Sequence, residues 1–179
     1  MFKEIMQTTF LNNRVVDYIV SLAILVIGIL SVRVVKSIVI ARLKKWAEKT
    51  KTNIDDFLIT IIEKTIVPLL YFGAFYIATR GLYLHPTVSK VIDVLGVILL
   101  TFMAARFTAA TLEFLLKDYW LKKSPDETKE RNIRAILPAI KVIIFGLALV
   151  FLLDNLGFKI STVIAGLGIG GVAVALASQ

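Results

Sequence analysis

The feature that most constrains this chain is its last stretch, Ser161-Thr-Val-Ile-Ala-Gly-Leu-Gly-Ile-Gly-Gly-Val-Ala-Val-Ala-Leu-Ala-Ser-Gln179. It is apolar enough to enter a bilayer, nearly free of bulky side chains, and rich in glycine at 166, 168, 170 and 171. On a helix turning ~100° per residue, Ala165, Ile169, Val172 and Leu176 share one face about 60° wide. Gly168, Gly171 and Ala175 run along one flank of that face, and Gly166, Gly170, Ala173 and Ala177 along the other. Val163, Leu167 and Val174 point away from it. One stripe of small residues lets a membrane helix approach a single partner closely. Two stripes flanking an apolar face suit a helix with a neighbour on each side, and identical helices packed that way close into a ring. Ile169, Val172 and Leu176 would then line the axis of a pore with an apolar constriction. Spacing alone leaves a second reading open, in which the helix is simply buried inside one bundle.

The rest of the chain sets the solvent. At 58% hydrophobic residues and a mean hydropathy of +0.82, the composition is that of an integral membrane protein. The absence of cysteine excludes disulfides and thiolate chemistry. A net charge of +8 would suggest nucleic acid in a soluble protein. Here the basic residues lie beside apolar runs, where anionic lipid headgroups are the expected partner and nucleic acid is not. Met1 to Arg14 is mixed polar with no small-residue cleavage site, and is not read as a signal peptide.

Five apolar runs approach the ~20 residues that a bilayer core requires. They are Val15 to Val32 with a helical extension to about Lys49, Ile66 to Leu84 interrupted by Pro68 and Gly73, and Val88 to Phe107 extending to about Lys122. Ile136 to Leu156 follows, starting at Pro138, and Ile160 to Ser178 completes the set. The connections divide by charge. Arg42, Lys44, Lys45, Lys49, Lys51 and Lys64 crowd one segment, and Lys117, Lys122, Lys123, Lys129, Arg131 and Arg134 another. The opposite side holds only Lys3, Arg14, Arg80, Lys90 and Lys159. The positive-inside rule puts both basic loops in the cytoplasm, the N-terminus outside and Gln179 at the cytoplasmic face, with Trp46 and Trp120 as interfacial anchors. Asn53-Ile-Asp-Asp56 reads as a helix start and Ser124-Pro-Asp-Glu127 as a capping box. Leu156-Gly157-Phe158 reads as a tight turn that makes the fourth and fifth spans antiparallel neighbours. The whole is one domain.

Catalysis has little to stand on. His85, the single histidine, has no second metal ligand at usable spacing. Neither Gly-x-Ser-x-Gly nor His-Glu-x-x-His occurs. The glycines at 166–171 lack the lysine and hydroxyl of a phosphate loop and sit in an apolar run. No cofactor, metal or enzymatic activity is expected. The intramembrane charges are Arg33, Lys36 and Arg106 at cytoplasmic ends of spans, read as contacts to lipid phosphate, and Lys141, read as snorkelling to the same interface. Arg80 and Asp93 are placed to pair near the outer ends of their spans. Asp154 and Lys159 flank the last turn, where a salt bridge or a cap is expected.

The terminal run also resembles the pore helix of the small-conductance mechanosensitive channel (MscS) family. Val163-Ile-Ala-x-Leu-Gly168 matches that helix's opening, and Ala173, Ala175, Ala177 and Gln179 match its continuation. The resemblance implies that the two constriction rings fall on Val172 and Leu176, with Val172 smaller than the leucine usual at the first ring. It implies a homo-oligomer, a heptamer in that family, in a bacterial or archaeal cytoplasmic membrane, with two extra N-terminal helices and a β-rich cytoplasmic domain expected after residue 179. The fold expected is all-α, with outer helices at about 15–156 and a pore helix at about 160–179. The function expected is a tension-opened, weakly selective pore for ions and small solutes under hypo-osmotic shock. A secondary transporter or a membrane scaffold subunit is the alternative. A transporter is expected to show an inverted repeat and a midplane polar site, and the last span has no polar residue between Thr162 and Ser178.

Overall fold

The computed structural model describes residues 7–47, 54–123 and 127–179. The chain enters through a two-strand hairpin, β1 (Thr9–Phe10) against β2 (Asn13–Arg14), which the sequence reading did not anticipate. Its two-residue turn places Leu11 at φ 50° and Asn12 at φ 64°. Both central residues are therefore left-handed, as the twist of a tight hairpin demands. Asn tolerates that conformation well; leucine does not, and is held there by the pairing on either side.

Helix α1 (Val15–Ala47) follows directly. Arg14 precedes its first residue, and the Arg14 amide donates to the Asp17 carboxylate at 2.9 Å, the reciprocal half of a capping box. The next membrane-length unit is a composite: α2 (Ile54–Ile61), a π-helical turn (Ile62–Ile66) and α3 (Val67–Arg80). Pro68 does not interrupt this span. The chain widens just before it, so that the Val67 amide reaches back to Ile62 O, and the proline enters where its missing N–H costs least. Gly73 continues the helix, which ends at Arg80 rather than Leu84. Helix α4 (Pro86–Lys123) begins with proline at its first position, where that residue's fixed φ fits. Helix α5 (Glu127–Asn155) runs straight through Pro138, so that residue is interior to the helix and not its start. Helix α6 (Ser161–Ala177) closes the chain after Gly157, whose φ of +86° makes the turn. The capping box at 124–127, the Asn53 cap and the Trp120 side chain lie outside the described residues.

Among the described residues, four helical units are long and apolar enough to cross a membrane: Val15–Trp46, Ile54–Arg80, Pro86–Lys117 and Ile133–Asn155. α6 is a shorter apolar helix of 17 residues. The chain is thus an all-α membrane protein apart from its small entry hairpin. The long helices form two antiparallel pairs, α1 with α2–α3 and α4 with α5. Their seams use small residues. Gly28 sits so close to α3 that a Cβ there would lie 2.8 Å from the Ala74 Cβ, and the Ser21 hydroxyl donates to Ala78 O at 2.7 Å along the same line. Without a hydrophobic drive between helices in lipid, such close backbone approach and buried hydrogen bonds are what hold them together. The pairs meet where Phe57 stacks on Phe114 with centroids 4.3 Å apart. Elsewhere the large apolar side chains point outward, Leu22, Ile27, Val142 and Leu147 among them. In water that surface would be a liability, and in a bilayer it is the solvated face.

Candidate pore helix and two charged clefts

Helix α6 differs from every other helix in one respect. All its residues are exposed, and none is buried against its own chain. Ile169 is 74% exposed, Val172 61% and Leu176 67% on the proposed pore face, and Leu167 is 59% exposed on the opposite one. A Cβ at Gly166, Gly168, Gly170 or Gly171 would meet nothing within 4 Å. This corrects one expectation: the turn at Gly157 reverses the chain, but α6 does not settle against α5 as an antiparallel neighbour. The turn is satisfied locally, with Gly157 N donating to Asp154 O at 2.9 Å and Phe158 N to Leu153 O at 3.0 Å. Among the described residues no ion pair joins Asp154 to Lys159. Ala165 shares the face of α6 that carries Ile169, Val172 and Leu176, and Ala173, Ala175 and Ala177 share the flanks with the glycines, as helical geometry requires.

The four intramembrane cations divide into two clefts at the end of the helices nearest the basic segments. Arg33 and Lys36 line the first together with Lys44 and Glu63. Lys36 bridges α1 to the π-helical turn through Glu63 at 3.3 Å. Arg106 and Lys141 line the second, of about 390 Å³, together with Lys64, Thr65 and Glu113. Here Lys141 of α5 reaches the Glu113 carboxylate of α4 at 2.7 Å, and Lys117 takes the other oxygen at 2.6 Å. Sequence reasoning named the cations and missed both carboxylates. The signal for Glu113 was present: an acid four residues before Lys117 on one helix, beside an apolar run where carboxylates are costly and usually partnered. The link from Glu63 to Lys36 joins separate helices and no local pattern carries it.

The opposite end of the helices, beside the entry hairpin, is tied by different chemistry. The Asn13 side chain, 4% exposed, grips the backbone of Tyr83 in both directions. It donates to Tyr83 O at 3.0 Å and accepts from Tyr83 N at 2.6 Å. Arg80 pairs with Asp93 at 3.4 Å, as the sequence suggested, while Tyr76 hydrogen-bonds both partners and lies beneath the guanidinium at 4.7 Å. Among the described residues no group of three metal-ligating side chains forms.

Residues 139–179, the end of α5 and all of α6, match the family described as mechanosensitive ion channel, transmembrane helices 2/3. The chain is MscS-like. It is 29% identical over 177 residues to the small-conductance mechanosensitive channel MscMJ of Methanocaldococcus jannaschii, covering 97% of this chain and 51% of that protein. It is 26% identical over 180 residues to the large-conductance mechanosensitive channel MscMJLR of the same organism, covering 98% of this chain and 50% of that protein. An uncharacterized MscS family protein of Helicobacter pylori is 37% identical over 92 residues, 51% of this chain and 15% of that protein. The chain spans about half the length of the two archaeal relatives. No solved structure matches it significantly. The match covers the small-residue helix and the last part of α5, which carries Lys141, and the family is one of ion channels, not of enzymes.

Proposed function

We propose that this MscS-like chain is the membrane portion of a tension-gated channel, with α6 as its pore helix in a homo-oligomeric ring. The observation that carries the reading is the condition of α6 itself. Seventeen apolar and small residues form a helix that buries none of them on its own chain. Such a helix needs protein neighbours on its glycine flanks, since small residues gain packing only when another backbone comes close. Copies of the same helix supply both flanks at once, with Gly168, Gly171 and Ala175 of one chain against Gly166, Gly170, Ala173 and Ala177 of the next. Ala165, Ile169, Val172 and Leu176 then face the axis. In this account Val172 and Leu176 form the narrow rings, dewetted when closed. The family resemblance supports seven copies; counting α6 with the four longer units gives five spans, and the charge asymmetry of the connections supports an outside N-terminus and a cytoplasmic Gln179.

Gating follows from the unequal grip of the parts. Helices α1 to α5 present apolar surface to lipid and tilt as tension rises. The turn at Gly157 transmits that movement to α6, which slides on its smooth flanks until the rings widen and hydrate. With no charge on the pore face, ions and small solutes pass with little discrimination, as relief of hypo-osmotic shock requires. The full-length protein reconstituted in liposomes and patched under graded suction tests the reading. Currents that switch on with tension support it; a silent membrane, or substrate-coupled flux without tension dependence, would favour a transporter instead.

A further inference from the structure

Helix α6 buries none of its residues on its own chain, so movement reaches it through α5 and the turn at Gly157. α5 in turn packs along α4. Much of that seam is apolar. Phe102 meets Phe145 with ring centroids 5.7 Å apart, and Met103, Ala105 and Ala109 of α4 and Ile133 and Leu137 of α5 are buried. In a bilayer such contacts resist sliding weakly, because lipid tails are as apolar as the side chains they would replace. A directional contact crosses the seam at Glu113 of α4. One oxygen of its carboxylate accepts Lys141 of α5 at 2.7 Å, and the other accepts Lys117 of its own helix at 2.6 Å. Lys141 stands four residues before Phe145, so the ion pair and the ring contact lie on one face of α5.

Glu113 therefore has two ammonium partners, one fixed to its own helix and one carried by the helix that leads to α6. When α5 shifts along α4, Lys141 leaves and Lys117 stays. The carboxylate is then never left unpaired on a membrane helix, the outcome that would make release costly. Lys141 is partly exposed on a long stem and, once free, extends toward polar surroundings. We propose, on the basis of the channel reading above, that Glu113 is a positioning residue for gating. Through Lys141 it latches α5 in the register described here, and Lys117 sets how readily the latch lets go. The element has two arrangements, Lys141 held or Lys141 released. Tension biases them through the exposed apolar face of α5, Val142 and Leu147 among it.

Patch recording of the full-length protein in liposomes under graded suction tests this. Lys141→Gln removes the latch while leaving Glu113 its partner on α4. It is expected to open at lower tension, its open-to-closed ratio at fixed tension rising at least about twofold for each subunit. Lys141→Arg keeps a cation within reach of the carboxylate and should restore the parental threshold. Lys117→Gln should raise the threshold, because release would then strand Glu113; a network that merely supported the fold would move both lysine variants in one direction. Adding Glu113→Gln to Lys141→Gln should shift the threshold no further. Lys117 is exposed at the end of its membrane-length unit, so its variant reports even where Lys141→Gln impairs assembly. Tension-gated parental currents with unchanged thresholds in Lys141→Gln and Lys117→Gln, or with both shifted the same way, would overturn the latch alone. A silent parental protein would overturn the channel reading and the latch with it.

Discussion

Replacing Gly28 by alanine tests the packing of α1 on α3 more sharply than any truncation. The added Cβ would sit 2.8 Å from the Ala74 Cβ and 3.6 Å from the Ala74 Cα. Carbon pairs are comfortable at ~3.5–4.0 Å, so the helices must separate locally by about 1 Å. Ala74 cannot turn aside, because its Cβ is fixed to the backbone of a helix and is itself buried. Overpacking of this kind costs about 1–3 kcal/mol, and separation also stretches the neighbouring Ser21 to Ala78 hydrogen bond. Helix propensity works the other way, alanine being favoured over glycine by ~1 kcal/mol. Gly73→Ala supplies the control, since it gains the same propensity at a position with nothing within 4 Å. The difference between the two variants therefore isolates the steric cost, expected at about 1–3 kcal/mol in the unfolding free energy of the purified protein in mixed micelles. Adding Ala74→Gly to Gly28→Ala should recover most of it, with a coupling energy of at least ~0.5 kcal/mol. Equal stability of Gly28→Ala and Gly73→Ala, or no rescue by Ala74→Gly, would refute the close seam.

Three further outcomes follow from the same arrangement. Single cysteines at Lys3 and Thr87 should react with an impermeant reagent on intact cells while those at Lys51 and Lys122 stay silent; the reverse pattern would invert the topology. Gly171→Leu should break oligomers that Val174→Leu leaves intact, because the first fills a flank where backbones approach and the second points away; equal oligomer mass in detergent would count against the two-flank ring. Asn13→Ala strands the Tyr83 N–H and C=O, which should cost about 1–3 kcal/mol. It should also raise amide exchange across Phe10–Val15, and unchanged exchange there would show that the clamp is not what holds the hairpin.

Much of this architecture is legible in order, because apolar length and the 3.6-residue period are local properties. The helix through Val15, the extension of α4 beyond Phe107 and the start near Ile54 all follow from runs and caps. Prolines mislead for a physical reason. Pro68 looks like a break until the π-helical turn ahead of it is seen, and Pro138 looks like a start although the helix already runs through from Glu127. A wider turn, or preceding helix that continues regardless, is a tertiary outcome with no short-range signature. The charged residues show the same division. Arg80 with Asp93 is readable because both sit at matching depths of adjacent spans, whereas Lys36 with Glu63 depends on the relative rotation of two helices. The entry hairpin escapes because its turn is built on Leu11, a residue that turn chemistry disfavours. For α6 the sequence supplies the faces, and the fold adds that none of the described residues covers them.

The central claim is that Val172 and Leu176 face the pore and seal it while Leu167 does not. Serine at either ring offers a hydroxyl that holds water in a constriction otherwise dry, and ring symmetry repeats the change in every subunit. Patch recording of the full-length protein under graded suction measures this directly. The account predicts that Val172→Ser and Leu176→Ser open at lower tension or leak at rest, and that Leu167→Ser keeps the parental threshold. A shifted threshold for Leu167→Ser, with Val172→Ser and Leu176→Ser unchanged, would contradict the assigned pore face.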